Sequence, residues 1–266
     1  RREIGHHHRA LPPPTNLEGV GNCMLSLGHA YRSFRRLIAD KEDAAQVFEI
    51  IGALSGRSIE KGYLRMLGSA EGARQAYLAE ELADKLGDDA WLATFASETV
   101  GAQYRAFVRL RNISAHGLVE ESRKATLNTG SGDTAHPVAW FARRLRDVHD
   151  IWHVLTGFST DTLGEGCLLG FTFAQTKNPG FGFITFGGAL ELTRAHWRQP
   201  YIQAAFQAWQ IGRKADWLPA LDYERLFAQP LEEARRELRL STPTVYHSIP
   251  LEARGAYRYS DERELK

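Results

Sequence analysis

Cysteine is scarce in this sequence, with only Cys23 and Cys167 among 266 residues. Two distant cysteines cannot build a disulfide framework, and a thiolate zinc site requires closely spaced pairs. We therefore expect both to be buried free thiols in a reducing compartment, with a single bridge between them as the alternative.

Charge of one sign and long apolar runs are also missing. The formal net charge is +1, so no global electrostatic field favours nucleic acid as a partner, and we expect none. No stretch reaches the roughly 18 uncharged apolar residues that a membrane-spanning helix needs. The most apolar segment, residues 163–190, is interrupted by Lys177, Pro179 and several glycines. It is predicted to contact lipid without crossing a bilayer.

Alternating patterns typical of β-strands are scarce, whereas apolar residues recur at three- and four-residue steps along most of the chain. The pattern predicts an all-α fold with one multi-helix domain over residues 15–240. We expect a flexible leader at 1–14, which includes three consecutive histidines, an internal surface loop at about 119–136 and a polar tail at 241–266. Asp40, with Asp43 three residues on, is predicted to cap the helix that follows.

The stretch HDIWHVLTGFSTDTLGE, residues 149–165, concentrates residue types that bind metals. A strong helical pattern runs from Pro137 to about Thr156, with Gly157 placed to end it. The next helix is expected to begin after the turn FSTD, where Ser159 to Asp161 offer N-caps. The stretch therefore predicts two helices joined by a short turn.

His149 and His153 are four residues apart, so both side chains project from one face of the first helix. This is the spacing of helical histidine pairs that bind zinc. Glu165 lies near the start of the second helix, and antiparallel pairing of the helices returns it towards His153. Asp150 is a candidate for a fourth ligand or for a residue that orients one.

Two imidazoles with one or two carboxylates suit zinc, iron or manganese better than calcium. Three protein ligands leave a coordination position open for water or substrate, which favours a catalytic metal. A chance arrangement of polar residues on a helix is the alternative that the motif alone leaves open.

The longer segment RLRDVHDIWHVLTGFSTDTLGE resembles the signature of the coenzyme Q biosynthesis protein 4 family. That family carries H-D-x-x-H, eleven further residues and then E, and here residues 154–164 supply the eleven. Looser resemblance runs from SLGHAYRSF through ETVGAQYRAFVRLRNISAHGL to DWLPALDYERLFAQPLEEARRELRL. It covers most of the chain and is strongest over residues 140–170.

The resemblance implies a helical ubiquinone biosynthesis protein that associates peripherally with a membrane. It implies removal of the ring carboxylate of a polyprenylated hydroxybenzoate and hydroxylation of the same carbon, with His149, Asp150, His153 and Glu165 as catalytic metal ligands. Zinc is the expected ion, and Fe²⁺ and Mn²⁺ are the alternatives. The expected partners are a polyprenyl lipid substrate, a membrane surface, other ubiquinone-biosynthesis enzymes and a second copy of the chain in a homodimer. The expected location is the cytoplasmic side of the inner membrane in a bacterium, or the matrix side of the mitochondrial inner membrane in a eukaryote.

Two further features extend this picture. Arg144 and Arg146 match the family's basic pair before the motif and are predicted to bind an anionic substrate headgroup, with a solvated salt bridge from Arg146 to Asp147 or Asp150 as the alternative. The apolar segments after Glu165 are predicted to form a groove for the isoprenoid tail, and a plain helical core is the alternative. Membrane contact is predicted between residues 171 and 197, through Phe181 and Phe183 among others.

Two other functions stay open at this point. One is a scaffold without catalytic activity that binds prenyl lipids and presents them to partner enzymes. The other is a zinc hydrolase of the H-E-x-x-H type. In that motif a glutamate follows the first histidine and activates water, whereas here Asp150 holds its carboxylate one methylene farther back.

Overall fold

The computed structural model describes residues 26–40, 43–111 and 136–255. Within these ranges the chain forms fifteen α-helices and two short 3-10 helices, Leu218–Ala220 and Leu251–Ala253, and no β-strand. The prediction of a single all-α domain is confirmed. The α-helices are, in chain order, α1 (Leu27–Ala39), α2 (Ala44–Leu54), α3 (Ser58–Leu67), α4 (Ala70–Leu78), α5 (Leu82–Leu86), α6 (Asp89–Leu92), α7 (Val100–Leu110), α8 (Pro137–Asp147), α9 (His149–Thr156), α10 (Thr162–Thr176), α11 (Pro179–Ala195), α12 (Tyr201–Lys214), α13 (Tyr223–Phe227), α14 (Leu231–Glu237) and α15 (Thr244–Ser248).

Helix α10 lies at the centre of the fold and packs against α11, α12 and α15. Most of its side chains are buried, including Leu168 and Phe171, which are fully covered. Glycines allow the close packing: a Cβ at Gly212 of α12 would lie 2.6 Å from the carbonyl oxygen of Phe171. The main hydrophobic core therefore surrounds the helix that carries Glu165.

Helices α1 and α2 form a separate small core with α11. Phe34 of α1 meets Phe183 of α11 edge to face, with 5.2 Å between ring centroids, and Phe181 is also partly buried against this cluster. The predicted cap is corrected here: Asp40 follows the end of α1, and it is Asp43 whose carboxylate accepts the N–H of Ala45 at 3.1 Å. Either aspartate is a suitable residue type for an N-cap. Because α1 extends to Ala39, Asp40 ends that helix, and Asp43 caps α2.

The helix predicted over residues 137–156 is interrupted at one residue. The backbone at Val148 adopts φ −80° and ψ −8°, so that α8 ends at Asp147 and α9 begins at His149. Val148 itself is fully buried, and the apolar periodicity continues through it. A pattern of hydrophobic residues therefore could not reveal this break.

The predicted polar tail from residue 241 is wrong up to residue 255. Tyr246 and Ile249 are fully buried in the main core, and α15 packs against both α10 and α12. The segment is rich in proline and polar residues, which is why its composition suggested a tail, yet Tyr246 and Ile249 point inward, whereas Leu251 is exposed. The predicted leader and nearly all of the predicted internal loop lie outside the described residues.

Cys167 is a free thiol buried inside α10, as expected, and burial raises its pKa well above the ordinary value. Cys23 lies outside the described residues. Within the described ranges, no helix combines the length and the apolar character that crossing a membrane requires.

Candidate metal centre

The turn that joins α9 to α10 is held at both of its ends. Gly157 ends α9 in the left-handed conformation, with φ +78°, which a residue with a side chain rarely adopts. The guanidinium of Arg235 donates to the carbonyls of Val154 and Leu155, at 2.9 and 3.0 Å, and so satisfies the end of α9. Asp161 caps α10 by accepting the N–H of Gly164 at 2.8 Å. The predicted helix ends are confirmed at Gly157 and Asp161.

The turn lies directly against the first turn of α10. A Cβ added at Gly164 would stand 2.0 Å from the carbonyl oxygen of Ser159 and 3.0 Å from its nitrogen. Only glycine permits this approach, and the approach determines how far Glu165 stands from α9.

The three side chains expected to bind a metal meet at this junction. One carboxylate oxygen of Glu165 lies 3.5 Å from Nε2 of His153 and 3.8 Å from Nε2 of His149. The imidazole rings of the two histidines are 4.9 Å apart and nearly perpendicular. One potential ligand atom from each residue lies within 4.8 Å of the other two. The three residues therefore form a group that could hold a metal ion.

One hydrogen bond determines the tautomer of His153: in the neutral ring, the nitrogen that faces Glu165 is the one without a proton. Nδ1 lies 3.0 Å from the carbonyl oxygen of Phe158, which can only accept, so Nδ1 must carry a proton and donate it. Nε2 is fully buried and has no hydrogen-bond partner among the described residues. In the neutral ring, Nε2 then presents a bare lone pair towards a carboxylate, and two acceptors face each other. A cation between them, either a proton or a metal, resolves this conflict.

The protonation of His153 responds to the same surroundings. Burial alone lowers the pKa of His153, but the negative charges of Glu165 and Asp150 outweigh it and raise the pKa above its ordinary value. The pocket thus attracts positive charge, and a metal that binds there displaces a proton. Two imidazoles and a carboxylate are a donor set that zinc, iron and manganese accept, so these residues fit a divalent transition metal.

Asp150 stands behind His149 and outside the group of three. Its carboxylate oxygen lies 3.4 Å from Nδ1 of His149, on the opposite side of the ring from Nε2. This placement favours the orienting role over that of a fourth ligand, since carboxylates behind metal-binding imidazoles hold the ring in position. Its assignment as a ligand stays a prediction.

The two predicted substrate-binding arginines are both engaged within the fold. Arg144 is buried and donates to the carbonyl oxygens of Pro219 and Leu221, at 3.0 and 2.5 Å. Arg146 donates to the carboxylate of Asp147, at 2.8 Å from Nε, which is one of the two salt bridges considered as its alternative. A substrate contact for either side chain stays a prediction.

Several residues around the site carry no signal in the sequence. Phe107 of α7 stacks on the imidazole of His153, with 5.5 Å between centroids. The guanidinium of Arg111 lies over the ring of Phe107, 4.3 Å from its centroid, and donates to the hydroxyls of Ser159 and Thr160 in the turn. Tyr246 also contacts the turn from α15. These residues lie about 50 or 90 positions away in sequence from the groups they contact, so only an observation of spatial contact could find them.

Comparison with known proteins gives consistent matches. A family model described as Coenzyme Q (ubiquinone) biosynthesis protein Coq4 matches residues 14–244. The human mitochondrial ubiquinone biosynthesis protein COQ4 homolog is 24% identical over 242 residues, which cover 91% of this chain and 83% of that protein. The mitochondrial coq4 protein of Sclerotinia sclerotiorum is 27% identical over 252 residues, covering 91% and 82% respectively.

A solved structure also resembles this chain. It is the crystal structure of a Nostoc punctiforme protein named for ubiquinone biosynthesis, and it aligns with a TM-score of 0.55 at 16% identity. The alignment covers 82% of this chain and 100% of that chain. At this level of identity the likeness supports the helical fold alone.

Proposed function

The chain is a ubiquinone biosynthesis protein of the Coq4 family, whose model spans residues 14–244, and on that premise we propose that its metal centre carries out an oxidative decarboxylation. The substrate is a ring of the 4-hydroxy-3-methoxy-5-polyprenylbenzoate type. The ring carboxylate leaves as carbon dioxide, and water supplies the hydroxyl oxygen to the same carbon. Dioxygen takes up the two electrons and two protons that this releases and becomes hydrogen peroxide. His149, His153 and Glu165 hold the ion, and Asp150 orients His149.

The observation that carries this proposal is the unpartnered Nε2 of His153 facing Glu165 at 3.5 Å. A divalent cation bound there supplies positive charge beside the carboxylate or phenolate oxygens of a substrate. The Phe158 carbonyl holds the proton of the neutral His153 ring on Nδ1, which leaves Nε2 available to an ion, and Phe107 shields the ring from water. His149 is partly exposed, so a substrate ring could approach the three residues from that side.

A strain that lacks the protein is expected to accumulate a prenylated hydroxybenzoate, because the ring carboxylate is not removed. Wild-type protein should restore ubiquinone, and His149→Ala should fail to do so because one of three ligands is lost. Quinones and their precursors are measured in lipid extracts by mass spectrometry. Restoration by His149→Ala at normal protein levels would rule out a catalytic role for the metal.

The second candidate function is a scaffold that binds prenyl lipids and presents them to other enzymes of the pathway. It is favoured by the exposed apolar side chains on α11 and α12, since such patches on soluble proteins commonly mark lipid or protein contacts. Purified protein with metal, dioxygen and substrate separates the two functions. Product formation without partner proteins supports the enzyme, whereas tight binding without turnover supports the scaffold. Association with pathway enzymes and homodimerisation stay predictions.

The candidate surface for membrane contact overlaps the segment 171–197 predicted from sequence but uses other side chains than Phe181 and Phe183. Phe171 is fully buried and Phe183 packs against Phe34, so these side chains serve the core. Among the exposed large apolar side chains of the described residues, five lie on α11, on α12 or in the loop between them: Phe186, Leu190, Trp197, Ile202 and Phe206. We name this surface the α11–α12 face.

Two arginines stack on tryptophans in or beside the α11–α12 face. Arg198 covers the ring of Trp197 at 5.1 Å, and Arg213 covers Trp209 at 4.8 Å. Tryptophans paired with cations are typical of the boundary between lipid headgroups and acyl chains. We propose that this face binds the surface of an anionic membrane. The names of the relatives place them in mitochondria. We propose that the surface bound is the matrix side of the inner membrane if the source is a eukaryote, and the cytoplasmic side of the inner membrane if it is a bacterium.

The double replacement Phe186→Ser with Leu190→Ser is expected to weaken binding to anionic liposomes by about tenfold or more. Each replacement removes apolar area worth on the order of 1 kcal/mol or more when it is buried in lipid. Binding is measured by co-sedimentation. Leu64→Ser with Leu67→Ser is the matched control, because both leucines are exposed on α3. Equal loss in both double variants contradicts a specific role for the α11–α12 face.

A further inference from the structure

One peptide group connects His153 to the C-terminal segment of the chain. The carbonyl of Phe158 accepts from Nδ1 of His153 at 3.0 Å. The N–H of Ser159, at the other end of the same peptide group, donates to the hydroxyl of Tyr246 at 3.2 Å. A peptide bond is planar and trans, so its C=O and N–H point in opposite directions. Fixing the direction of the N–H therefore fixes that of the carbonyl.

The hydroxyl of Tyr246 also reaches the start of α10. It donates to one carboxylate oxygen of Asp161 at 2.5 Å, while the other oxygen of Asp161 accepts the N–H of Gly164. Burial raises the pKa of Tyr246 above its ordinary value, so the hydroxyl keeps the proton that it donates. A single oxygen thus bonds both to the turn that orients His153 and to the cap of the helix that carries Glu165.

The ring of Tyr246 has little freedom to move. The tyrosine is fully buried, its ring meets Phe158 edge to face at 5.3 Å, and the guanidinium of Arg254 covers it at 4.4 Å. Arg254 is itself fixed, since its Nε donates to the carbonyl of Ile249 at 2.8 Å. The hydroxyl is therefore presented from a rigid support.

We propose that Tyr246 is a positioning residue for the metal centre: its hydroxyl holds the Phe158–Ser159 peptide so that His153 keeps its proton on Nδ1 and presents Nε2 to the ion. This inference rests on the proposed metal centre. It assigns a function in the site to a part of the chain that begins about 80 residues after Glu165. Loss of a residue that orients a metal-binding histidine typically lowers metal affinity by about 10- to 100-fold.

Tyr246→Phe tests the proposal because it keeps the ring and removes only the hydroxyl. Two readouts apply. In metal-free protein at a pH where His153 is neutral, ¹⁵N chemical shifts of the imidazole report which nitrogen carries the proton. We expect the wild type to be protonated on Nδ1 and the variant to gain the Nε2-protonated form. Zinc affinity, measured by competition with a chelator, should fall about 10- to 100-fold in the variant.

Tyr223→Phe is the matched control. Tyr223 is buried as well, and its hydroxyl also has one donor, Trp152, and one acceptor, the carbonyl of Leu218. The control loses the same number of hydrogen bonds without touching the turn, and it should keep wild-type zinc affinity and tautomer. Both variants are compared by thermal unfolding followed by circular dichroism.

Several results overturn the proposal. One is an unchanged tautomer and zinc affinity in Tyr246→Phe, and another is an equal loss of affinity in Tyr223→Phe. If Tyr246→Phe does not fold, the tautomer of His153 in the wild type is the test. A neutral His153 that carries its proton on Nε2 contradicts the proposal directly. Failure of the wild type to bind zinc overturns the proposed metal centre instead, and the tautomer measurement in metal-free protein still judges the role of Tyr246.

Discussion

Replacing Glu165 by glutamine is expected to weaken zinc binding by at least about 100-fold and to leave the helical fold intact. The amide is close in size to the carboxylate but has lost the negative charge that faces Nε2 of both histidines, at 3.5 and 3.8 Å. Loss of a residue that only orients a metal ligand lowers metal affinity by about 10- to 100-fold. Loss of the charge of a ligand itself is expected to lower it further.

The measurement is the unfolding free energy with and without zinc. At a free zinc concentration about 100 times its dissociation constant, the wild type should gain about 2.7 kcal/mol. Glu165→Gln should gain about 0.4 kcal/mol or less at the same concentration. Glu191→Gln is the control, since Glu191 lies on the surface of α11 in an ion pair with Arg194. The same zinc-dependent gain in unfolding free energy in Glu165→Gln and in the wild type would show that Glu165 does not bind the ion.

Three consecutive histidines at residues 6–8 can also bind zinc. All zinc titrations are therefore compared in a background in which these three histidines are replaced by alanine. Zinc binding that disappears with these replacements belongs to the leader, and binding that persists belongs to the folded domain.

Gly164→Ala is expected to have the second large effect, on both stability and metal affinity. The added Cβ would stand 2.0 Å from the carbonyl oxygen and 2.8 Å from the carbonyl carbon of Ser159, so the turn has to move away from α10. Forced displacement of this kind costs on the order of 1–3 kcal/mol. The same movement shifts the Phe158–Ser159 peptide, which holds His153, and zinc affinity should fall along with stability.

Gly166→Ala is the matched control for this prediction. It lies two residues farther along α10, and a Cβ there would meet no atom within 4 Å. Alanine is favoured over glycine inside a helix by up to about 1 kcal/mol, so this variant should be as stable as the wild type or more stable. Urea unfolding of both variants checks the pair. Equal stability of Gly164→Ala and Gly166→Ala contradicts the close approach of the turn.

The sequence predicted the local geometry of the site well. The four-residue spacing of His149 and His153, the left-handed end at Gly157 and the cap at Asp161 are all properties of short segments, and the backbone of each segment determines them. The return of Glu165 towards His153 also followed from the sequence, because the short connection, residues 157–161, brings the start of the second helix close to the end of the first.

The sequence could not predict contacts between distant segments. Tyr246 lies in a stretch whose composition suggested a tail, and its burial depends on packing against α10 and α12. Arg144 was expected to face a substrate, yet its guanidinium is directed to two carbonyls more than 70 residues away. For the same reason Phe181 and Phe183 read as candidates for lipid contact, although the neighbouring helices α1 and α2 cover them in part.

Anomalous X-ray diffraction from zinc-loaded crystals, recorded on both sides of the zinc absorption edge, tests the central claim most directly. The variant without histidines at residues 6–8 is used, so that the leader contributes no site. The account predicts one strong anomalous peak between Nε2 of His149, Nε2 of His153 and the carboxylate of Glu165, with Nδ1 of His153 still bonded to the Phe158 carbonyl. A zinc-saturated protein whose peak lies elsewhere, or which has no peak among these three side chains, would contradict it.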